Sequence, residues 1–344
     1  MSQLSLSIPL ITIPILSALS SFILIFCLRF LDVFEREPYK YILFNFILGI
    51  VAYPLSISIY SNLSNFSNLS TIAIENSDIR IYISVVLSSI IMLISQLIAG
   101  LISFQLSKRQ YDTVTDYIIY FSTIGIGYNF SEVFFYHYLN KTTNSGLLEL
   151  SQNLYYSCFF SGTTLPFIMA GIGIGIYFTR ISNKKNILLL GYILLIFSLL
   201  VQILYYSMNF FIMTGISSST SPSDFISLIK EIKFFANSLS IMLLISGVGF
   251  AVLFDNFIIS NFLNKVFTYS KINNTIIQKL NFLYNPLSYI LSNRFRSILK
   301  ITEDSYISDF DLKRLAKLAL KNFNDNNNTS IYINEANSII NKIN

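Results

Sequence analysis

The chain has 344 residues, 53% hydrophobic and 12% charged, with a formal net charge of +5 and a mean hydropathy of +0.60. Soluble domains carry about a quarter charged residues, so an ordinary soluble globular protein is excluded. One His and two distant cysteines, Cys27 and Cys158, exclude a Cys/His zinc cluster and a disulfide framework.

A helix needs about 20 apolar residues to cross the hydrocarbon core of a bilayer. Seven stretches meet that need: 8–30, 41–60, 81–104, 114–139, 154–179, 187–212 and 235–254. The first has no basic residues before it and no small-residue cleavage site after it, so it reads as a retained span. The fold class is therefore all-α: a polytopic membrane bundle of about seven helices over 1–254, followed by a basic helical tail over 255–344.

Loop charge sets the expected orientation. Arg29, Arg36, Lys40, Lys108, Arg109, Arg180, Lys184 and Lys185 flank the connections on one side, against Arg80, Lys141, Lys230 and Lys233 on the other. The more basic side is expected to be cytoplasmic, with the N-terminus outside and the tail inside. The outer loop SNLSNFSNLSTIAIENSDIR holds N-x-S sequons at Asn62, Asn65 and Asn68, better read as a polar loop than as glycosylation sites.

The tail carries eleven Lys/Arg against seven Asp/Glu. Within it, 308–323 spaces Phe310, Leu312, Leu315, Leu318 and Leu320 along a helix, with Asp309 and Asp311 at its start and Lys317 and Lys321 toward its end, as the helix dipole prefers. The basic, amphipathic segment 285–300 leaves two readings: a small helical domain, which is favoured, or helices on the anionic inner leaflet. NDNNNTS (324–330) reads as a linker. No motif supports a nucleic-acid partner, and no cofactor or metal is expected.

Ionisable residues inside spans are expensive and mark candidate functional sites. Asp116 and Glu132 both fall in 114–139, and 16 residues separate them. At 1.5 Å per residue that is about 24 Å, too far for a carboxylate pair. Tyr128, Glu132 and Tyr136 share one helix face, so either phenol could hydrogen-bond the carboxyl. Structural glue is as good a reading of Glu132 as chemistry. Gly125 and Gly127 allow a close neighbour, and Gly171 and Gly175 form a small-xxx-small pair. Ser95, Gln96, Ala99 and Gly100 form a polar, small stripe that must face protein. His137 points about 140° away from Glu132 and reads as interfacial. Cys27 and Cys158 read as unpaired apolar fillers.

Taken in order, these features resemble the PrsW family of glutamic-type intramembrane peptidases. Asp32-Val-Phe-Glu35-Arg-Glu37-Pro38 is similar to the D-x-x-E-x-E-P opening of that family. Asp116-x3-Tyr120-x6-Gly127-Tyr128-x3-Glu132 resembles its second motif region, and the run from Gly171 to Gly175 resembles the helix after its histidine. The opening also has a structural reading: Pro38 suits a first helical turn, with Glu35 and Glu37 at its positive end.

The resemblance implies an activating Glu-Glu-x-x-Lys, but the matching stretch here is Ser95-Gln96-Leu97-Ile98-Ala99. The family's histidine falls on Thr163. A hydrolase needs a group able to take a proton from water, and Ser, Gln, Ala and Thr cannot do so. The expectation is a non-catalytic PrsW-like protein that binds a membrane-protein partner, or its single transmembrane helix, in a groove lined by Gln96, Ser95, Asp116, Tyr128 and Thr163. The alternatives are a divergent active peptidase using Glu132, and a transporter using Asp116 and Glu132 as relay sites.

Overall fold

The computed structural model describes residues 15, 17–29, 38–66, 77–111, 113–139, 161–181, 185–217, helical positions scattered through 239–266, 309–324 and 329–341. The chain is helical throughout those residues apart from short turns. The named elements are α1 (Tyr39–Phe66), α2 (Ser77–Leu106), α3 (Val114–Leu139), α4 (Ser161–Ile181), α5 (Lys185–Ser217), α6 (Asp309–Asn324) and α7 (Thr329–Asn341), with a 3₁₀ turn, Lys108–Gln110, between α2 and α3. Residues 17–29 and much of 239–266 are helical as well.

Among the described residues, three stretches are long and apolar enough to cross a membrane: Tyr39–Leu63, Val86–Leu106 and Leu188–Tyr205. Ser17–Arg29, Thr164–Arg180 and Met242–Asp255 are shorter apolar helices. The helices run past the expected edges. Because α1 continues to Phe66, Asn62 and Asn65 belong to a helix end and not to a loop. Asp32, Glu35 and Glu37 lie outside the described residues, as does Cys158. Pro38 stands just ahead of α1, its carbonyl accepting from the Tyr41 and Ile42 amides at 3.0 and 3.4 Å.

The outer helices bear apolar stripes that face away from protein. On α1, Tyr39, Leu43, Ile47, Val51 and Leu55 recur every four residues and are all exposed. Val86, Ile90, Ile94 and Ile98 do the same on α2. An exposed apolar stripe of that length needs an apolar solvent. A bilayer supplies one, and the family assignment below points to the same place. Cys27 is an unpaired thiol, as expected, and it lies on the exposed surface of its helix.

The centre of the bundle is α3. Every residue from Val114 to Asn129 is buried, as befits a helix enclosed on all sides. It packs mainly against α1 and α4, and α4 packs in turn against α5. Glycines set these spacings. A Cβ at Gly127 would run into the Phe46 carbonyl oxygen, and one at Gly49 into the Ile124 carbonyl oxygen, so α1 and α3 touch backbone to backbone. On α4 the glycines alternate between neighbours: Gly171 meets Ser198 and Gly175 meets Leu195 and Gly191 of α5, whereas Gly173 meets the Tyr117 carbonyl of α3.

Candidate functional site

Three groups of buried polar side chains interrupt the apolar core. The first joins α1 to α3. Ser56 Oγ donates to the Tyr53 carbonyl at 2.6 Å and shares a hydrogen bond of 3.0 Å with the Tyr128 hydroxyl. The Tyr53 and Tyr128 rings meet edge-on with centroids 5.2 Å apart. One turn along α3, Glu132 is half-buried, with its Oε2 atom inaccessible to solvent, and its charge acts on the Tyr53 hydroxyl. The side chains of Tyr136 and His137 lie outside the described residues. Sequence spacing selected Tyr128 as a neighbour of Glu132 but missed Tyr53 and Ser56, because only the α1–α3 crossing brings them there.

The second group joins α2 to α5. Ser95 and Gln96 are both buried. Ser95 Oγ donates to the Met92 carbonyl at 2.7 Å, a bond within its own helix. Gln96 Oε1 accepts a short hydrogen bond from Nε2 of Gln202, which is also buried. Intramembrane amides of this kind are expected to find one another, since the alternative is an unsatisfied polar group in hydrocarbon. Gln202 was open to discovery as a lone polar residue within an apolar stretch. Near this level, Thr164 Oγ1 accepts from Ser240 Oγ at 3.3 Å. Thr163 has a helical backbone in the first turn of α4, and its side chain is outside the described residues.

The third group lies at the opposite end of α3. Asp116 is buried, its Oδ2 accepting from the Thr113 amide at 2.7 Å, while Thr113 Oγ1 accepts from the Asp116 amide at 3.0 Å. This reciprocal exchange is a capping box built with an aspartate. Asp116 therefore starts the central helix, and Glu132 stands at the helix's other end. Thr115 reaches instead to Asp255, a carboxylate that sequence reading assigned to the tail. Tyr111, Tyr117, Phe104 and Phe121 close this end with ring contacts of 4.8–6.5 Å. The Arg180 guanidinium lies 3.9 Å over the Phe104 ring.

A crevice of about 140 Å³ opens between α3, α4, α5 and residues 243–247. Its lining is almost wholly apolar, including Ile118, Phe167, Ile174 and Phe197. Among the residues singled out in the sequence, Gly171 lies on its wall.

A protein-family model described as PrsW family intramembrane metalloprotease matches residues 37–216. That is just over half of the chain; it takes in α1 through α5 and stops before Asp255, α6 and α7. No curated protein and no solved structure matches the chain. The family description implies a metal, and the buried groups among the described residues do not supply a donor set for one. Among the described residues, no three His, Cys, Asp or Glu side chains come together as ligands. The buried groups joining α2 to α5 are a serine and two amides, which are weak donors for a catalytic metal ion. The match across the five central helices, together with their lipid-facing stripes and glycine-set crossings, makes the chain a member of the PrsW family of intramembrane proteases.

Proposed function

We propose that this PrsW-family protein is a non-catalytic member that holds a partner membrane protein, through a single transmembrane helix, against its own bundle. The observation that carries the reading is the state of Ser95 and Gln96. They stand where the family resemblance puts a glutamate pair, and both are buried. Ser95 Oγ is engaged with the Met92 carbonyl, and Gln96 with Gln202. A neutral amide has no proton affinity near working pH, so it cannot serve as the general base that water activation needs. Amides and hydroxyls do suit hydrogen bonding to polar or unwound helix backbone, and a partner segment would use these two by displacing the Ser95–Met92 and Gln96–Gln202 bonds.

The test compares cells carrying wild type, Glu132→Gln or no copy, by proteomics of membranes and medium. The expected result is an unchanged set of released ectodomain fragments in all three, with one membrane protein losing abundance only in the deletion. Fragments that vanish in both altered strains would establish an active peptidase working through Glu132. A photo-cross-linker at Thr163 should capture the partner; adducts to lipid alone would remove the groove from the reading.

A further inference from the structure

Beyond the region matched by the family, one carboxylate is wholly buried. Asp255 sits within an apolar helix face formed by Leu244, Ala251, Ile258, Phe262 and Val266, each at most 5% exposed. Their spacing of seven, seven, four and four residues is that of one helix face, and Asp255 occupies a position on it where a hydrophobe is expected. An acid there is costly unless it is hydrogen-bonded or neutralised.

Half of that need is met by α3. Thr115 donates to Asp255 Oδ2 from its backbone amide at 3.3 Å and from Oγ1 at 2.7 Å. Oδ1 has no hydrogen-bond partner among the described residues. Nor does the Tyr177 hydroxyl of α4, which is equally buried and on which Asp255 and Asp116 act. Tyr177 is held in place by an edge-on contact with Tyr117, 5.4 Å between centroids. The titratable groups acting with Asp255 are thus Asp116 from α3 and Tyr177 from α4, the latter packed on Tyr117. Among the described residues no basic side chain acts on it. Burial pushes the carboxyl up to about 7; the Thr115 hydroxyl and the Thr115 and Val114 amides oppose that rise, and the neighbouring Asp116 adds to it.

The same place is where the C-terminal helices reach the bundle. Phe254 meets Phe178 of α4 edge-on at 5.8 Å and Phe323 of α6 edge-on at 6.0 Å. We propose that Asp255 is a proton-operated clasp: protonated at Oδ1, it seats its own helix and the attached α6–α7 pair on the end of α3 and α4, and on losing the proton it loosens them. The proton turns Oδ1 into a donor, and the Tyr177 hydroxyl, which likewise has no hydrogen-bond partner among the described residues, would accept from it once the two side chains close up.

The direction follows from linkage. Released, Asp255 is hydrated and has its ordinary value of 3.8; seated, its value is about 7. Seating therefore takes up a proton. It is fully favoured below 3.8, weakens about tenfold per pH unit through the window up to about 7, and is flat above that.

The test uses full-length protein in phosphatidylcholine nanodiscs with Cys27 and Cys158 replaced by Ser. Spin labels go at Lys108→Cys and Lys321→Cys, both exposed positions, and distances are measured by pulsed electron resonance from pH 5.5 to 8.5. The ratio of short to long distances should fall about tenfold per unit as pH rises toward 7 and then level off. Asp255→Asn, neutral at every pH, should hold the acid-side ratio throughout. Thr115→Val, which removes a donor to the ionised carboxylate, should move the midpoint upward, and it supplies the answer if the Asn variant does not assemble. A wild-type ratio indifferent to pH, an unchanged titration in Asp255→Asn, or a downward or absent shift in Thr115→Val would each overturn the proposal.

Discussion

Replacing Gly127 by alanine tests whether backbone contact between α1 and α3 organises the bundle. The new Cβ would fall on the Phe46 carbonyl oxygen, 3.0 Å from its carbon and 3.2 Å from the Ile50 nitrogen. All three are backbone atoms, so no side-chain rotation relieves the overlap. The helices must part by about 1 Å to relieve the overlap, and a gap of that size forfeits up to about half of each pair's ~0.1–0.2 kcal/mol. Over a few tens of atom pairs the loss is about 2 kcal/mol, within the range for overpacked cores. The same displacement strains the Ser56–Tyr128 hydrogen bond and the Tyr53–Tyr128 ring contact. Unfolding in mixed micelles, titrated with a denaturing detergent, would measure it. Gly247→Ala is the control, because a Cβ there meets nothing within 4 Å, and its effect should stay within about 0.5 kcal/mol. Gly49→Ala combined with Gly127→Ala should cost less than the sum, since one separation relieves both overlaps. A Gly127→Ala protein as stable as Gly247→Ala would refute the reasoning.

Other perturbations have smaller expected effects. A double-mutant cycle of Gln96→Leu and Gln202→Leu should give a coupling of roughly 0.6–1.7 kcal/mol in a bilayer-mimetic unfolding assay. Thr113→Ala and Asp116→Ala should each cost about 1 kcal/mol, and together little more than either, because they break one reciprocal cap. In the tail, Arg314 and Glu335 form a 3.3 Å ion pair with both side chains close to half exposed. Removing either by Ala should change the thermal stability of the helix pair by no more than about 1 kcal/mol, and high salt should erase the difference.

Element existence was legible in the chain wherever apolar runs met polar punctuation. The stretch 114–139 coincides with α3, because charged and polar residues flank it on both sides. Helix ends were less legible. Continuation of α1 to Phe66 carries Asn- and Ser-rich sequence into helix, since backbone hydrogen bonding within a growing helix outweighs the modest propensities of those residues. Gln202 was visible as a polar residue in an apolar run, yet nothing in its neighbourhood named Gln96 as its partner.

Sequence by itself determined the class of the protein, the path of its main helices and the substitution of Ser95, Gln96 and Thr163 at positions where its family resemblance expects ionisable groups. Those properties depend on residue type and on periods of a few residues, which are local. Tertiary structure alone decided which side chains meet. Glycine-set crossings bring Tyr53 and Ser56 to Tyr128, and helix packing brings Gln202 to Gln96. Asp255 arrives at Thr115 from 140 residues away. Apolar spacing places a residue on a face, but the partner of that face depends on the close approach of backbones far apart in the chain, and burial there pushes the carboxyl of an apparent tail aspartate well above its ordinary value.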